Sequence, residues 1–317
     1  MTNAFPDYYA EFRCLADRCA HTCCAGWEID IDEETMTKYR ALGGSLGERV
    51  RAAVSEAPTP HFHLETGDVC PFLRSDGLCE LILTEGEALL CQICRDHPRF
   101  RSFLPEYTET GLGMCCEAAA ALILSRRTPP RMLPDGPGPT EPEAAALLAV
   151  RDRLIDLAFD RRQSLHERID TILSACRICL PVRTRAGWAS FYLGLERLDE
   201  HWTDRLEELL LHGDEVDIIQ FLGCLGERRA EYEQILGYFL LRHIPQAWED
   251  GDLGSKVSFA ALSTRILIIL GALQRERTGR FSAADQAELC RQYSAEIEYS
   301  EENLDTLYAE LSANGET

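Results

Sequence analysis

Ten of the fourteen cysteines in this 317-residue chain fall within its first 116 residues. They are Cys14, Cys19, Cys23, Cys24, Cys70, Cys79, Cys91, Cys94, Cys115 and Cys116, while Cys176, Cys179, Cys224 and Cys290 are scattered. In a secreted chain such density means disulfides. The opening MTNAFPDYYAEFRCL has no basic flank followed by an apolar run, so the expectation is a cytoplasmic chain without a secretory signal. There the thiols serve metal or redox chemistry. Thiolates this close hold zinc or an iron–sulfur cluster, and soft sulfur donors disfavour hard cations. Cys23 and Cys24 are adjacent, so their side chains diverge: one faces a metal while the other packs, or they serve two centres. Cys176-x2-Cys179 has redox-motif spacing but reads as part of a buried helical stripe.

The pattern along the chain predicts a mainly α protein, an irregular Cys-rich metal-binding N-terminal domain followed by a helical bundle. Residues 127–142, RTPPRMLPDGPGPTEP, hold six of the fourteen prolines. Proline removes backbone donors and fixes φ, so this stretch reads as a linker. The expected division is a Cys-rich domain over 1–126, the linker over 127–142 and an α-helical domain over 143–317. Within the first, Trp27, Ile29 and Ile31 alternate with acidic residues as in an edge strand, and Asp32 caps a helix opening with Glu33, Glu34 and Thr35. A second helix is expected over 118–126. Turn chemistry dominates elsewhere, and metal–thiolate bonds are a source of stability for so irregular a stretch. After residue 143, apolar positions recur with a 3.6-residue period, as at Leu147, Val150, Leu154, Leu157 and Ala158. The most apolar window, 259–273, carries Arg265 at its middle and reads as a buried helix, not a membrane span.

A net charge of −21 repels phosphate backbones, which argues against nucleic acid and favours a basic protein or amine partner. Acidic runs such as Asp199-Glu200 and Glu298 with Glu301-Glu302 read as solvated faces able to dock such a surface. Motifs for other chemistries are missing. The chain has no Gly-x-Gly-x-x-Gly after a strand, no P-loop and no His-Glu-x-x-His, its Gly43-Gly44-Ser45-Leu46-Gly47 string reads as a loop glycine cluster, and it lacks the Cys-x3-Cys-x2-Cys run of radical enzymes that use S-adenosylmethionine.

The string Phe12-Arg-Cys14-x4-Cys19-x3-Cys23-Cys24-Ala-Gly26-Trp27-Glu-Ile29-x-Ile31-Asp32-x2-Thr35-x3-Tyr39 resembles the opening of the flagellin lysine-N-methylase family. Cys70-Pro71-Phe72-Leu73 through Cys79, then Cys94-Arg95-x2-Pro98-Arg99, continue the resemblance in order. It closes at Cys115-Cys116-Glu117-Ala118-Ala119, where the family usually reads Cys-Pro-Glu-Ala-Ala. Smaller metal-chelating domains share the Cys-x3-Cys-Cys core. The resemblance covers about residues 12 to 126. It implies a [4Fe–4S] protein that uses S-adenosylmethionine to methylate lysine ε-amines of flagellin, with Cys14, Cys19, Cys23, Cys24, Cys70, Cys79, Cys94 and Cys115 as the family cysteines. Cys91 and Cys116 are additions to that pattern.

Lysine methylation needs a neutral amine, whose free pKa is about 10.4, and a methyl donor held in line. Glu28, Asp96, His97, Tyr107 and Glu117 are the candidate bases near the cysteine motifs. Glu28 and Asp96 also read as surface charges, and Glu117 as a helix-start residue. Arg95 and Arg99 flank Cys94 and are candidate partners for the donor's carboxylate, or for acidic side chains of the chain itself. Trp27 reads as a core aromatic, and His61 and His63 share a face as surface residues. Rival readings are a zinc-folded module without activity, which binds a partner through its bundle, and an iron–sulfur redox protein without methyl transfer. No membrane partner is expected.

Overall fold

The computed structural model describes residues 1–312 and is mainly helical. It divides the chain elsewhere than at the Pro-rich stretch: one compact unit comprises Arg13–Arg99, and the other comprises Met1–Phe12 together with everything from Phe100 onward. The first residues join the second unit because β1 (Thr2–Pro6) enters its sheet. The strands of that sheet are β4 (Arg99–Leu104), β5 (Tyr107–Leu112), β1 and β6 (Met132–Pro134), in that spatial order. β1 pairs in parallel with β5 (Thr2 opposite Tyr107) and antiparallel with β6 (Ala4 opposite Pro134). Thus the Pro-rich stretch is partly a strand. It lies at the sheet edge, where a missing donor is tolerated.

Every residue of the helix Ala230–His243 is buried, and it packs on the 26-residue helix Leu253–Thr278. Leu253–Thr278 is long and apolar enough to cross a membrane, but its apolar window is 94% buried inside the protein, the behaviour of a core helix. The helices Pro142–Ala158, Ala283–Tyr293 and Glu301–Ser312 cover this pair, and Glu117–Ser125 packs on Ala283–Tyr293. The helix Leu165–Ala175 ends sooner than its stripe predicts. Cys176 is its C-cap, Arg177 takes φ 57°, and the Ile178 amide donates to the Leu173 carbonyl at 2.9 Å, a Schellman closure. Cys179 therefore sits in an exposed loop and not within a helix, so the Cys-x2-Cys pair is not part of a buried stripe.

The Arg13–Arg99 unit has little regular structure. Its core gathers Ile29, Ile31, Met36, Tyr39, Val50, Phe62 and Phe72 around the cysteines. Ile29 and Ile31 point inward and Glu28 and Asp30 outward, as their alternation predicts. The segment pairs only locally, Ile31 N–H to the Pro60 carbonyl and Phe62 N–H to the Ile29 carbonyl, so no long strand forms. β2 (Val54–Ser55) and β3 (His61–Phe62) make a minimal hairpin.

The helix Glu33–Ala41 begins at Asp32 as its sequence predicts. The Asp32 carboxylate accepts from the Thr35 amide (2.9 Å), the Thr35 hydroxyl (2.7 Å) and, across the unit, the Gln92 amide (2.7 Å). Farther along the same helix, Tyr39 Oη donates to the Leu89 carbonyl at 2.7 Å. One helix thus holds both sides of the Leu89–Gln92 turn. Replacing Asp32 with Ala removes a cap and this cross-tie, and should destabilise the unit by about 1–2 kcal/mol in urea unfolding. An unchanged midpoint would contradict the account.

Candidate metal centre

Two segments of the Arg13–Arg99 unit meet through backbone hydrogen bonds that place cysteines side by side. The Cys70 amide donates to the Cys24 carbonyl at 2.8 Å. Beyond Cys70, Leu73 bridges Cys79, and the Gly77 turn (φ 78°) reverses the chain between them. The third contribution comes from the Leu89–Gln92 turn: Cys91 caps the short helix Gln92–Asp96, and Cys94 is its third residue. Cys70 and Cys91 are buried, and Cys24, Cys79 and Cys94 pack against the same apolar cluster.

These five thiols lie close enough to perturb one another. Cys70 is pushed up to about 12, mainly by burial and further by Cys24, Cys79 and Cys91. Burial likewise raises Cys79. Cys91 and Cys94 share a thiol hydrogen bond, which lowers Cys91 and raises Cys94, so Cys91 is the member of the pair that ionises first. Cys24 falls to about 7 because the neighbouring Cys23 thiol donates to it. Tyr39 Oη stands 3.5 Å from Cys91 Sγ. Among the described residues, no three His, Cys, Asp or Glu side chains are already closed to coordination geometry. As a donor set the pocket is all sulfur, with Cys70 and Cys91 buried and Cys24, Cys79 and Cys94 partly so, which fits zinc or an iron–sulfur cluster and not a hard cation.

Of the cysteines nominated from the sequence, the structure gathers Cys24, Cys70, Cys79 and Cys94. Cys14 and Cys23 are exposed, and Cys19 is half-buried with its thiol donating to the His21 carbonyl at 2.6 Å. Cys115 belongs to the other unit, where burial pushes it up to about 12 and Tyr299 hydrogen-bonds its thiol. Cys91, outside the family pattern, sits in the thiol pocket. Its signal in the sequence was the Cys-x2-Cys spacing to Cys94.

The remaining candidates divide by setting. Arg95 donates to Gln92 Oε1 at 3.0 Å, and Arg99 donates to the Arg95 and His97 carbonyls at 3.0 and 3.3 Å, so both guanidiniums are partly engaged in holding this turn. Asp96 accepts from Gln92 Nε2, and Glu28 is exposed near His61. Burial and the Arg99 charge lower His97 to about 4, leaving a neutral imidazole beside the Trp27 ring, at 6.2 Å between centroids. Trp27 Nε1 donates to the Cys23 carbonyl. Tyr107 is a buried sheet residue of the other unit, and Glu117 opens the helix Glu117–Ser125.

The helical unit carries charged chemistry that its sequence hid. Glu298 is not a solvated acid. It ends a π-helical turn, Ser294–Glu298, with its side chain wholly buried. Tyr238 Oη donates to it at 3.0 Å, His243 Nε2 meets Oε1 at 2.7 Å, and Arg242 Nε lies 3.3 Å from Oε1. Burial alone would raise this carboxyl, but the Arg242 charge and the His243 bond outweigh it and hold Glu298 below its ordinary value. Burial lowers His243, whose Nδ1 faces Tyr308 Oη at 2.6 Å. The Arg242 guanidinium lies between the Phe100 and Tyr299 rings, 4.8 Å from each centroid. Gly113 permits this closeness: a Cβ there would overlap the Tyr299 hydroxyl. A cavity of about 640 Å3 between Pro142–Ala158 and Leu165–Ala175 is lined by Leu154, Leu157, Ile178 and Leu253 among others, and of all the cysteines only Cys176 reaches it.

No family model matches the chain, and no solved structure matches it. Three curated proteins do. One is the flagellar biosynthetic protein FliU of Salmonella muenchen, 25% identical over 136 residues, which are 39% of this chain and 78% of that protein. Two are proteins named lysine-N-methylase, from Salmonella choleraesuis (strain SC-B67) and Salmonella typhimurium (strain LT2). Each is 26% identical over 139 residues, 39% of this chain and 33% of the relative. The chain thus has distant lysine-N-methylase relatives, and it spans about a third of their length.

Replacing Glu298 with Gln leaves Arg242 buried without its counter-charge and should cost roughly 3–5 kcal/mol in urea unfolding. The lowered pKa values of His243 and Glu298 mean that the unfolded chain binds more protons. Stability is therefore full above about pH 6.5 and falls as acid first favours protonated histidine, then carboxyl, in the unfolded state. Unfolding curves that superimpose at pH 7.5 and 5.5 would contradict this.

Proposed function

We propose that this chain is a cytoplasmic protein-lysine N-methylase whose N-terminal unit holds a [4Fe–4S] cluster and whose methyl donor is S-adenosylmethionine. The observation that carries the reading is the meeting of Cys24, Cys70, Cys79 and Cys94 at one apolar cluster. These residues come from three separated stretches of the motif that resembles the flagellin lysine-N-methylases. The two relatives named lysine-N-methylase and the flagellar relative support the reaction and the substrate class, flagellin or another lysine-bearing protein.

The residues divide the work as follows. Cys24, Cys70, Cys79 and Cys94 are the thiolates that would hold the cluster, and an iron–sulfur cluster when bound supplies an electrophilic iron site and electron-transfer capacity. Asp32 and Tyr39 fix the turn that carries Cys91 and Cys94. Arg95 and Arg99 border the pocket and are the cations available to the carboxylate of the methyl donor, each with part of its donor capacity already used. The chain's acidic surface, including exposed Glu301 and Glu302, attracts a lysine-bearing protein over distance. The same all-sulfur pocket also supports a second reading, a zinc-folded module without methyl transfer.

The test is incubation of the anaerobically purified chain with S-adenosylmethionine and flagellin, followed by mass spectrometry of flagellin peptides. The reading predicts methyl increments on lysines that depend on both the donor and the intact chain, and their loss in the Cys70→Ser variant. Metal-loaded protein that leaves flagellin unmodified would overturn the methylase reading.

A further inference from the structure

We infer that Cys91 is a metal ligand of this chain, acting as a chelating pair with Cys94. The inference rests on the thiol pocket being a metal centre, and it does not depend on methyl transfer. The family pattern assigns only Cys94 at this point, and Cys91 is an addition to it. The structure treats it as a full member of the pocket. Its side chain is 1% exposed, its sulfur stands 3.5 Å from Tyr39 Oη, and it shares one apolar cluster with Cys70, against which Cys24, Cys79 and Cys94 also pack.

Position on the backbone makes the pair a chelate. Cys91 is the N-cap and Cys94 the third residue of the helix Gln92–Asp96, so both sulfurs leave the same end of one turn. Two cysteines separated by two residues are the spacing with which single thiolate-bound metals are commonly held. The turn is also fixed before any metal arrives. On one side Tyr39 Oη bonds the Leu89 carbonyl, on the other the Asp32 carboxylate takes the Gln92 amide, and Tyr39 Oη stands 3.5 Å from Cys91 Sγ. The Tyr39 hydroxyl hydrogen goes to the Leu89 carbonyl, so the ring holds in place the turn that carries the Cys91 sulfur, as outer-shell groups do. An ordinary buried thiol, such as Cys290 in the helical unit, has one amide neighbour, Gln286 Nε2 at 3.4 Å, and no second sulfur among its hydrogen-bond partners.

The experiment titrates the full-length chain, reduced and stripped of metal, with Co(II) alone and follows thiolate-to-cobalt charge-transfer absorption, then displaces the cobalt with Zn(II). Cys91→Ser is compared with the unaltered chain and with Cys290→Ser. The expected result is that Cys91→Ser binds cobalt at least about tenfold more weakly, or with less charge-transfer intensity per bound ion, as loss of one coordinating thiolate requires. Cys290→Ser should match the unaltered chain. If Cys91→Ser does not fold, Cys91→His keeps a donor in place, and the same loss of intensity is expected. Unchanged affinity and intensity in either variant would overturn the assignment of Cys91. An unaltered chain that binds no cobalt would overturn it together with the metal centre. Normal cobalt binding with unmodified flagellin would remove only the methylase reading.

Discussion

The N-terminal unit depends on the hold that one helix has on one turn. Five thiols in an apolar pocket gain little from one another: their dipoles are weak partners, and burial resists their ionisation. What brings Cys91 and Cys94 to Cys24, Cys70 and Cys79 is the helix Glu33–Ala41. It reaches the Leu89–Gln92 turn through Asp32 at its start and Tyr39 near its end. The remaining joins, Cys24 to Cys70 and Leu73 to Cys79, are short backbone pairings. A unit built from so few regular elements has a small core, and in the proposed metal-loaded form thiolate bonds would supply the cross-links that helices supply elsewhere.

The helical unit solves a different problem. Its helix Ala230–His243 is surrounded on every side, so each polar side chain on it must find a partner inside. Arg228 answers Glu231, Arg161 and Arg168 answer Glu233, and Glu298 answers Arg242 and His243. The π turn at Ser294–Glu298 is the local distortion that turns the Glu298 carboxylate inward. Met114 joins the same network through its amide, which donates to Tyr238 Oη at 3.2 Å. The strand segment before Cys115 is therefore anchored to the helical core.

Legibility in the sequence follows from the range of each interaction. Helices were legible because their period and caps are local: Asp32 begins its helix where expected, and the stripes after residue 143 become helices within a few residues. The end of Leu165–Ala175 was missed because its closing residue is Arg177 and not the usual glycine. The unit boundaries were missed because they rest on β1 pairing in parallel with β5, about a hundred residues away, which leaves no local trace. In the thiol pocket, four of the five members are among the cysteines that the family resemblance implies. Cys91 was set aside because the family pattern lacks it, although its spacing to Cys94 was visible. Glu298 was hidden for the opposite reason: an acidic residue beside Glu301 and Glu302 has the composition of a surface, and only the packing of Arg242 and His243 reveals it as core.

The claim that the Arg13–Arg99 unit is built around a metal centre is tested most directly by anaerobic purification, a visible spectrum and iron, sulfide and zinc analysis of the same sample. The account predicts broad absorption near about 400 nm with iron and sulfide in matching amounts. Colourless protein carrying stoichiometric zinc would replace the cluster with a structural ion. Protein that is folded, fully reduced and free of all three would contradict the account.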